Sequence, residues 1–226
     1  MAAVRLASAL DHSGVKTVEA SSDKLLLERY VAEADRVALK AVVCRHARLV
    51  LGACRRVLGE GSDADHALCK TFALLERRAA VIRKQPSVIG WLHGTAVRQS
   101  WKTCDAADET VFAAVLPVSS RQRGLILDEE LQRLPADYRD ALMICHIEGL
   151  SYEVAAPQLS WPAATVRSRL HQARQTLSQR LERRGLRLSP MGLVIALADL
   201  ASAPVPTALL RAALRHDVPA PILCCS

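Results

Sequence analysis

The sequence predicts an all-α protein: two helical domains joined by a flexible linker, the second containing a helix-turn-helix. Three observations predict it. Hydrophobic residues make up 50% of the 226-residue chain while aromatics are only 4%, and the apolar set is mostly Leu, Ala and Val with few alternating runs, a composition suited to helices packed on helices. Apolar positions recur at spacings of three and four through much of the chain, as on the buried stripe of a helix. Residues 150–174 read as two helices joined by a tight turn, the second apolar on one face and basic on the other.

Taken in order, residues 1–21 form an arm, after which Ser22 and Asp23 offer capping oxygens to a helix through Leu25, Leu26, Arg29 and Tyr30. Residues 36–58 form a longer helix on Leu39, Val42, Val43, Leu49, Val50, Ala53 and Val57, stopped by Gly59 and Gly61. Asp63 is expected to cap the next, whose stripe is Leu68, Phe72, Leu75, Ala79 and Ile82. Ser87 then caps a fourth through Ile89, Leu92 and Ala96. These helices make a first domain over 22–102. Residues 103–126, with Asp105, Asp108, Glu109, Pro117 and the polar run 119–124, lack periodicity and read as the linker. A second domain covers 127–187, broken at Leu134-Pro135, Glu148-Gly149 and Ser160-Trp161-Pro162. The remainder, 188–226, is an apolar extension with a stripe at Leu193, Ile195, Leu197, Leu200, Leu209, Leu210 and Leu214. One or two short helices are expected there, covering an apolar surface on this chain or on a partner. If they cover the basic helix, they are autoinhibitory.

Within the helix-turn-helix, Val166, Leu170, Ala173 and Leu177 anchor the second helix, leaving Thr165, Arg167, Ser168, His171 and Arg174 on other faces. The formal net charge is +7. Between Ala163 and Arg187 stand seven arginines and one acid, Glu182. A solvated face would mix its signs, so the pattern favours a polyanionic partner. Pro157, inside the first helix of the pair, removes an amide donor and is expected to kink that helix or end it at Ala156.

The seven cysteines form no CxxC pair and no Cys/His zinc spacing, so reduced thiols and no metal or cofactor are expected. The start of the chain carries Asp11 and His12 without a long apolar stretch, and Gly192–Leu214 is interrupted by Asp199, Pro204, Pro206 and Arg211. A cytoplasmic protein without a membrane span is therefore expected. Cys44 with His46, or Cys145 with His146, is a poor nucleophile and base, since near neighbours on a helix point apart. No phosphate loop or carboxylate pair replaces them, so no enzyme activity or small-molecule substrate is expected.

Over Ser22 to Arg187 the chain resembles a sigma-70-family RNA polymerase sigma factor of the small two-domain, extracytoplasmic-function type. The likeness rests on LDEELQRLPADYRDALMICHIEGLSYEVA followed by TVRSRLHQAR, and on ERYV, RLVLGACRRVLGEGSDAD, TFALL and SVIGWLHGTAVRQSWK in order. The resemblance implies promoter DNA and core RNA polymerase as partners, with an anti-sigma protein a further candidate. It implies −35 contacts at Thr165, Arg167, Ser168, Arg169, His171 and Arg174, where arginine can pair with guanine in bidentate fashion. Contacts to the unstacked −10 strand fall at Trp91, His93, Arg98 and Lys102. Trp91 equally reads as a core residue, and Arg169 and Arg180 as solubilising charges. Polymerase contacts fall at Asp63, Asp65, His66, Cys69 and Phe72. There the family usually has a third acid and a glutamine, where this sequence has His66 and Cys69. A helix-turn-helix regulator that no longer engages polymerase is the alternative.

Overall fold

The computed structural model describes residues 21–85, 87–104 and 120–215, and every regular element in them is helical. Most of the N-terminal arm, residues 105–119 of the expected linker, and 216–226 lie outside the described residues. In the first domain α1 spans Asp23–Glu33, α2 Arg36–Leu58, α3 Ser62–Ile82 and α4 Val88–Cys104. In the second, α5 spans Ser120–Gln132 and α6 Ala136–Leu142, continuing into a π-helical turn at Met143–Ile147; α7 spans Tyr152–Leu159 and α8 Ala163–Arg183. The extension adds α9, Pro190–Asp199, and α10, Thr207–Arg215. None of these helices is long and apolar enough to cross a membrane.

Local chemistry accounts for the boundaries. Ser22 Oγ accepts from the Leu25 amide and Asp35 Oδ1 from those of Val37 and Ala38, giving α1 and α2 their N-caps. Gly59, at φ 86, ends α2 in a backbone region open to glycine. Asp63 does not cap α3: the helix starts one residue earlier, behind Gly61, without a side-chain cap, and Asp63 sits in its first turn, where a carboxylate suits the helix dipole. Ser87 Oγ accepts from the Gly90 amide and starts α4, as expected.

Residues 120–126 correct the reading of a linker through 126, for they form the first two turns of α5. The reason is tertiary. Arg121 donates to the carbonyls of Arg56 and Val57 at 2.9 and 3.0 Å, closing the C-terminus of α2. Gly124, which looks like a breaker in sequence, leaves room for the Arg56 side chain, which a Cβ would overlap.

Pro157 does not end α7 at Ala156. The helix runs on to Leu159 and closes at Ser160, φ 58, with the Trp161 amide bonded to the Ala156 carbonyl at 3.0 Å. Pro157 is exposed and Ala155 and Leu159 are buried, so the missing amide lies on the solvent side while the opposite face keeps its packing.

The buried side chains fall into two cores. One fills the first domain and takes in Leu209 and Ala213 of α10. The other fills the second and takes in Leu49 and Ile89 from the first, with Leu193, Leu197 and Leu200 from the extension. The domains are thus packed together, and two polar clusters lie in the seam. In one, Asp128 of α5 accepts from Arg56 Nε at 2.6 Å and Nη2 at 3.0 Å, and from His93 Nε2 at 2.7 Å, with Gln132 on His93 Nδ1 at 2.8 Å. Burial works against the Asp128 charge, but Arg56 and His93 outweigh it and hold its pKa below the usual carboxylate value.

In the other cluster, Asp23 binds His46 Nε2 and Arg45 Nη1, both at 2.5 Å, and Glu148 of the second domain approaches His46 at 3.9 Å. Burial pushes Glu148 up to about 7. Burial opposes charge on His46, yet Asp23 and then Glu148 raise its pKa overall.

Asp128→Ala is expected to cost about 3–5 kcal/mol in chemical denaturation, since it strands Arg56 and His93 in the interior. Glu148 and His46 bind protons more tightly folded than unfolded. Glu148 therefore stabilises fully below its ordinary 4.5, and that stability is lost as pH rises through about 7. In thermal melts, Glu148→Gln should make this decline shallower without abolishing it, because Asp140, pushed up to about 6 by burial, acts in the same direction.

Candidate nucleic-acid interface

The helix-turn-helix consists of α7, the turn Ser160-Trp161-Pro162, and α8. Pro162, at φ −61 and ψ 144, directs the chain into α8. Val166, Leu170, Ala173, Leu177 and Leu181 form the buried stripe of α8, so its orientation is set by packing against α5, α6 and α7. That stripe fixes which residues can face outward.

The residues expected at the −35 element divide by environment. Arg167, Ser168 and His171 are exposed and Thr165 is half-buried in the first turn. Arg167 stacks over the Tyr152 ring at 5.5 Å, a contact that preorders the guanidinium while leaving its donors to solvent. Arg169 and Arg174 are engaged within the protein. The Arg169 guanidinium lies 4.0 Å from the Trp161 ring centroid and 3.0 Å from Asp137, tying α8 to its own turn and to α6. Arg174 Nε donates to His146 Nε2 at 2.8 Å. Burial and the Arg174 charge push His146 down to about 4, so the imidazole is neutral and accepts that bond. Arg180 reaches the Arg133 carbonyl at 3.1 Å, so it too has a structural partner.

The residues expected at the −10 element do not form one surface. Arg98 and Lys102 are exposed on α4. Trp91 is half-buried against the first core, the packing role its neighbour Leu92 allows. His93 is 0% exposed and bound to Asp128, so in this arrangement it cannot touch a nucleic acid; the seam's buried carboxylate takes the position that solvent or a base would need. Arg98 lines a cavity of about 170 Å³ between the domains with Arg139, Asp140 and Ser87. Burial and the nearby Arg139 charge lower the Arg98 pKa.

The residues expected at polymerase also separate. Asp63 is exposed, and Asp65 and His66 are half-buried. Cys69 and Phe72 are 1% and 2% exposed and belong to the first core. Burial raises Asp65 and pushes Cys69 up to about 11.

Neither thiol–imidazole pair is arranged for catalysis. His46 is committed to Asp23 and His146 to Arg174, and burial raises the pKa of Cys145. Cys145 is only half-buried, and Cys44 is exposed, so neither is a core thiol. Asp23, His46 and Glu148 place one ligand-type atom each within 4.8 Å of the others, but both Asp23 oxygens already serve His46 and Arg45, which makes the group an ion-pair cluster.

Residues 124–177, which hold α7, the turn and most of α8, match the family model for sigma-70 region 4. The RNA polymerase sigma-H factor of Pseudomonas aeruginosa is 28% identical over 182 residues, covering 71% of this chain and 94% of that protein. The chain is similar to extracytoplasmic-function sigma-70 factors. The extracytoplasmic-function sigma-E factor of Escherichia coli is 27% identical over 186 residues, covering 73% of this chain and 96% of that one. A solved structure of CnrH in complex with the cytosolic domain of CnrY is similar over 72% of the chain and 99% of its own, at 20% identity and a TM-score of 0.37.

The partners Tyr152, Trp161, Asp137 and His146 escape a reading by periodicity because each meets its arginine across the turn or from another helix. The aromatic at Trp161, beside a basic helix, is the one local signal for a stacked arginine. His171→Ala, at an exposed position, should leave the melting temperature unchanged and weaken DNA binding. Arg169→Ala should lower the melting temperature by a few degrees through loss of the Trp161 and Asp137 contacts. Parallel thermal melts and gel shifts check both.

Proposed function

We propose that this protein is a working sigma factor: it associates with core RNA polymerase through the first domain, reads −35 duplex with α8 and engages the −10 strand with α4. The observation that carries the reading is the outward face of α8. Its Arg167, Ser168 and His171 are exposed on a helix whose opposite stripe is fully buried, in the segment that matches sigma-70 region 4. A rigid helix with donors at its N-terminal half suits a major groove, where guanidinium and hydroxyl groups can meet base edges and phosphates. The Arg98 and Lys102 side chains of α4 would attract the melted strand electrostatically. A sigma factor performs no bond chemistry of its own, and its work would be done in the cytoplasm.

A regulator that keeps the helix-turn-helix and has lost polymerase is favoured by one observation, the burial of Cys69 and Phe72 on α3. Run-off transcription with purified core polymerase on fragments of its own genome separates the two. Transcripts that depend on the protein are expected. Their absence, alongside a salt-dependent shift of duplex DNA, would leave the regulator. In the shift assay, Arg167→Ala should lower affinity and reduce the slope of log K against log salt by about one if Arg167 meets a phosphate.

A further inference from the structure

The extension crosses from one domain to the other. Its helix α9 joins the second core, and the chain then passes over α2 in a segment, 200–206, gripped by three arginines of that helix. Arg56 donates to the Leu200 carbonyl at 3.4 Å, Arg48 to Ala203 at 3.4 Å and Arg55 to Pro204 at 3.5 Å. The crossing is close enough to need a glycine beneath it: a Cβ at Gly52 would lie 2.7 Å from the Leu200 carbonyl oxygen. Beyond Pro206, α10 lies on α2 and α3, burying Leu209 and Ala213, with Leu210, Ala212 and Leu214 packed at the edges and Arg211 and Arg215 exposed.

The face of α3 that receives α10 can be traced. Asp65, Cys69, Phe72 and Glu76 follow one another at spacings of four, three and four, one stripe of the helix. At the Asp65 end stands Arg55, which also grips Pro204. At the Glu76 end stands Arg36, paired with Glu76 and donating to the Leu214 carbonyl at 3.1 Å. The segment from Pro204 to Leu214 is thus tied near both ends of this stripe. Asp65, Cys69 and Phe72 are among the residues assigned to polymerase above.

We infer that the groove between α2 and α3 is a docking surface for an amphipathic helix, and that α10 is its intramolecular occupant, competing with core polymerase for the first domain. The inference rests on the polymerase reading. The occupant is built to leave. A nine-residue helix is marginal in water without tertiary support, so α10 exists by virtue of this groove. The carbonyl bonds along the crossing, at 3.4–3.5 Å, are at the weak end of hydrogen-bond geometry. A partner that binds the same stripe sees only the fraction of molecules in which α10 is away, and its apparent affinity falls by that fraction.

The test compares core polymerase affinity for the full chain, for the full chain with Leu209→Asp, and for a chain ending at residue 203, with a synthetic peptide of residues 204–215 added back to the last. Both variants are expected to bind roughly tenfold or more tightly than the full chain, and the peptide to return the truncated form toward full-chain affinity. Leu209→Asp keeps the whole chain, so it reads out even where truncation exposes enough apolar surface to aggregate. Equal affinity across all forms would overturn the competition and leave the polymerase reading standing. Failure of every form to bind would remove both.

Discussion

Asp128, with 1% of its side chain exposed, stays ionised in the interior because Arg56 comes from α2 and His93 from α4 to meet it. A carboxylate buried on the second domain and two bases buried on the first cannot be separated without either rehydrating all three or leaving charges stranded. That arrangement buries His93 and, with Arg121 on the end of α2, fixes α5 against the first domain. It also defines the state of the molecule. His93 becomes accessible only if this seam opens, so its exposure and the separation of the domains are coupled through a single carboxylate.

Much of this was legible in sequence, and the divisions are physical. Helix class, the apolar stripes of α2, α3 and α8 and the helix-turn-helix depend on periodicity within a few turns, and periodicity is a local signal. The direction of α8 could be read because its buried stripe is regular. What could not be read were pairings between residues distant in sequence: Arg56 with Asp128, His46 with Glu148, Arg169 with Asp137, Arg174 with His146. These decide which members of a basic face are available. The same limit explains α5, whose first turn lacks a pattern of its own and is ordered by Arg121 on α2, and α7, where Pro157 reads as a break until its solvent side is known.

The buried stripe of α3 bears on one substitution. A cysteine stands at position 69 where the family usually has glutamine, and by sequence alone that is the loss of a contact. In the structure Cys69 is 1% exposed within the first core, where an amide would be buried without an assured partner. The residue suits that burial.

The π-helical turn at Met143–Ile147 inserts one residue into what would otherwise be a continuous helix, seen in the bond from the Glu148 amide to the Met143 carbonyl at 3.1 Å. One residue is about 100° of helical rotation. That phase shift lets one short segment serve three directions: Met143 and Ile144 into the core, His146 toward Arg174 on α8, and Glu148 across the seam to His46. In evolutionary terms the segment is a register lock. Relatives that lose or gain a residue here must re-solve all three contacts at once, so length should be held fixed at this point even where the side chains drift.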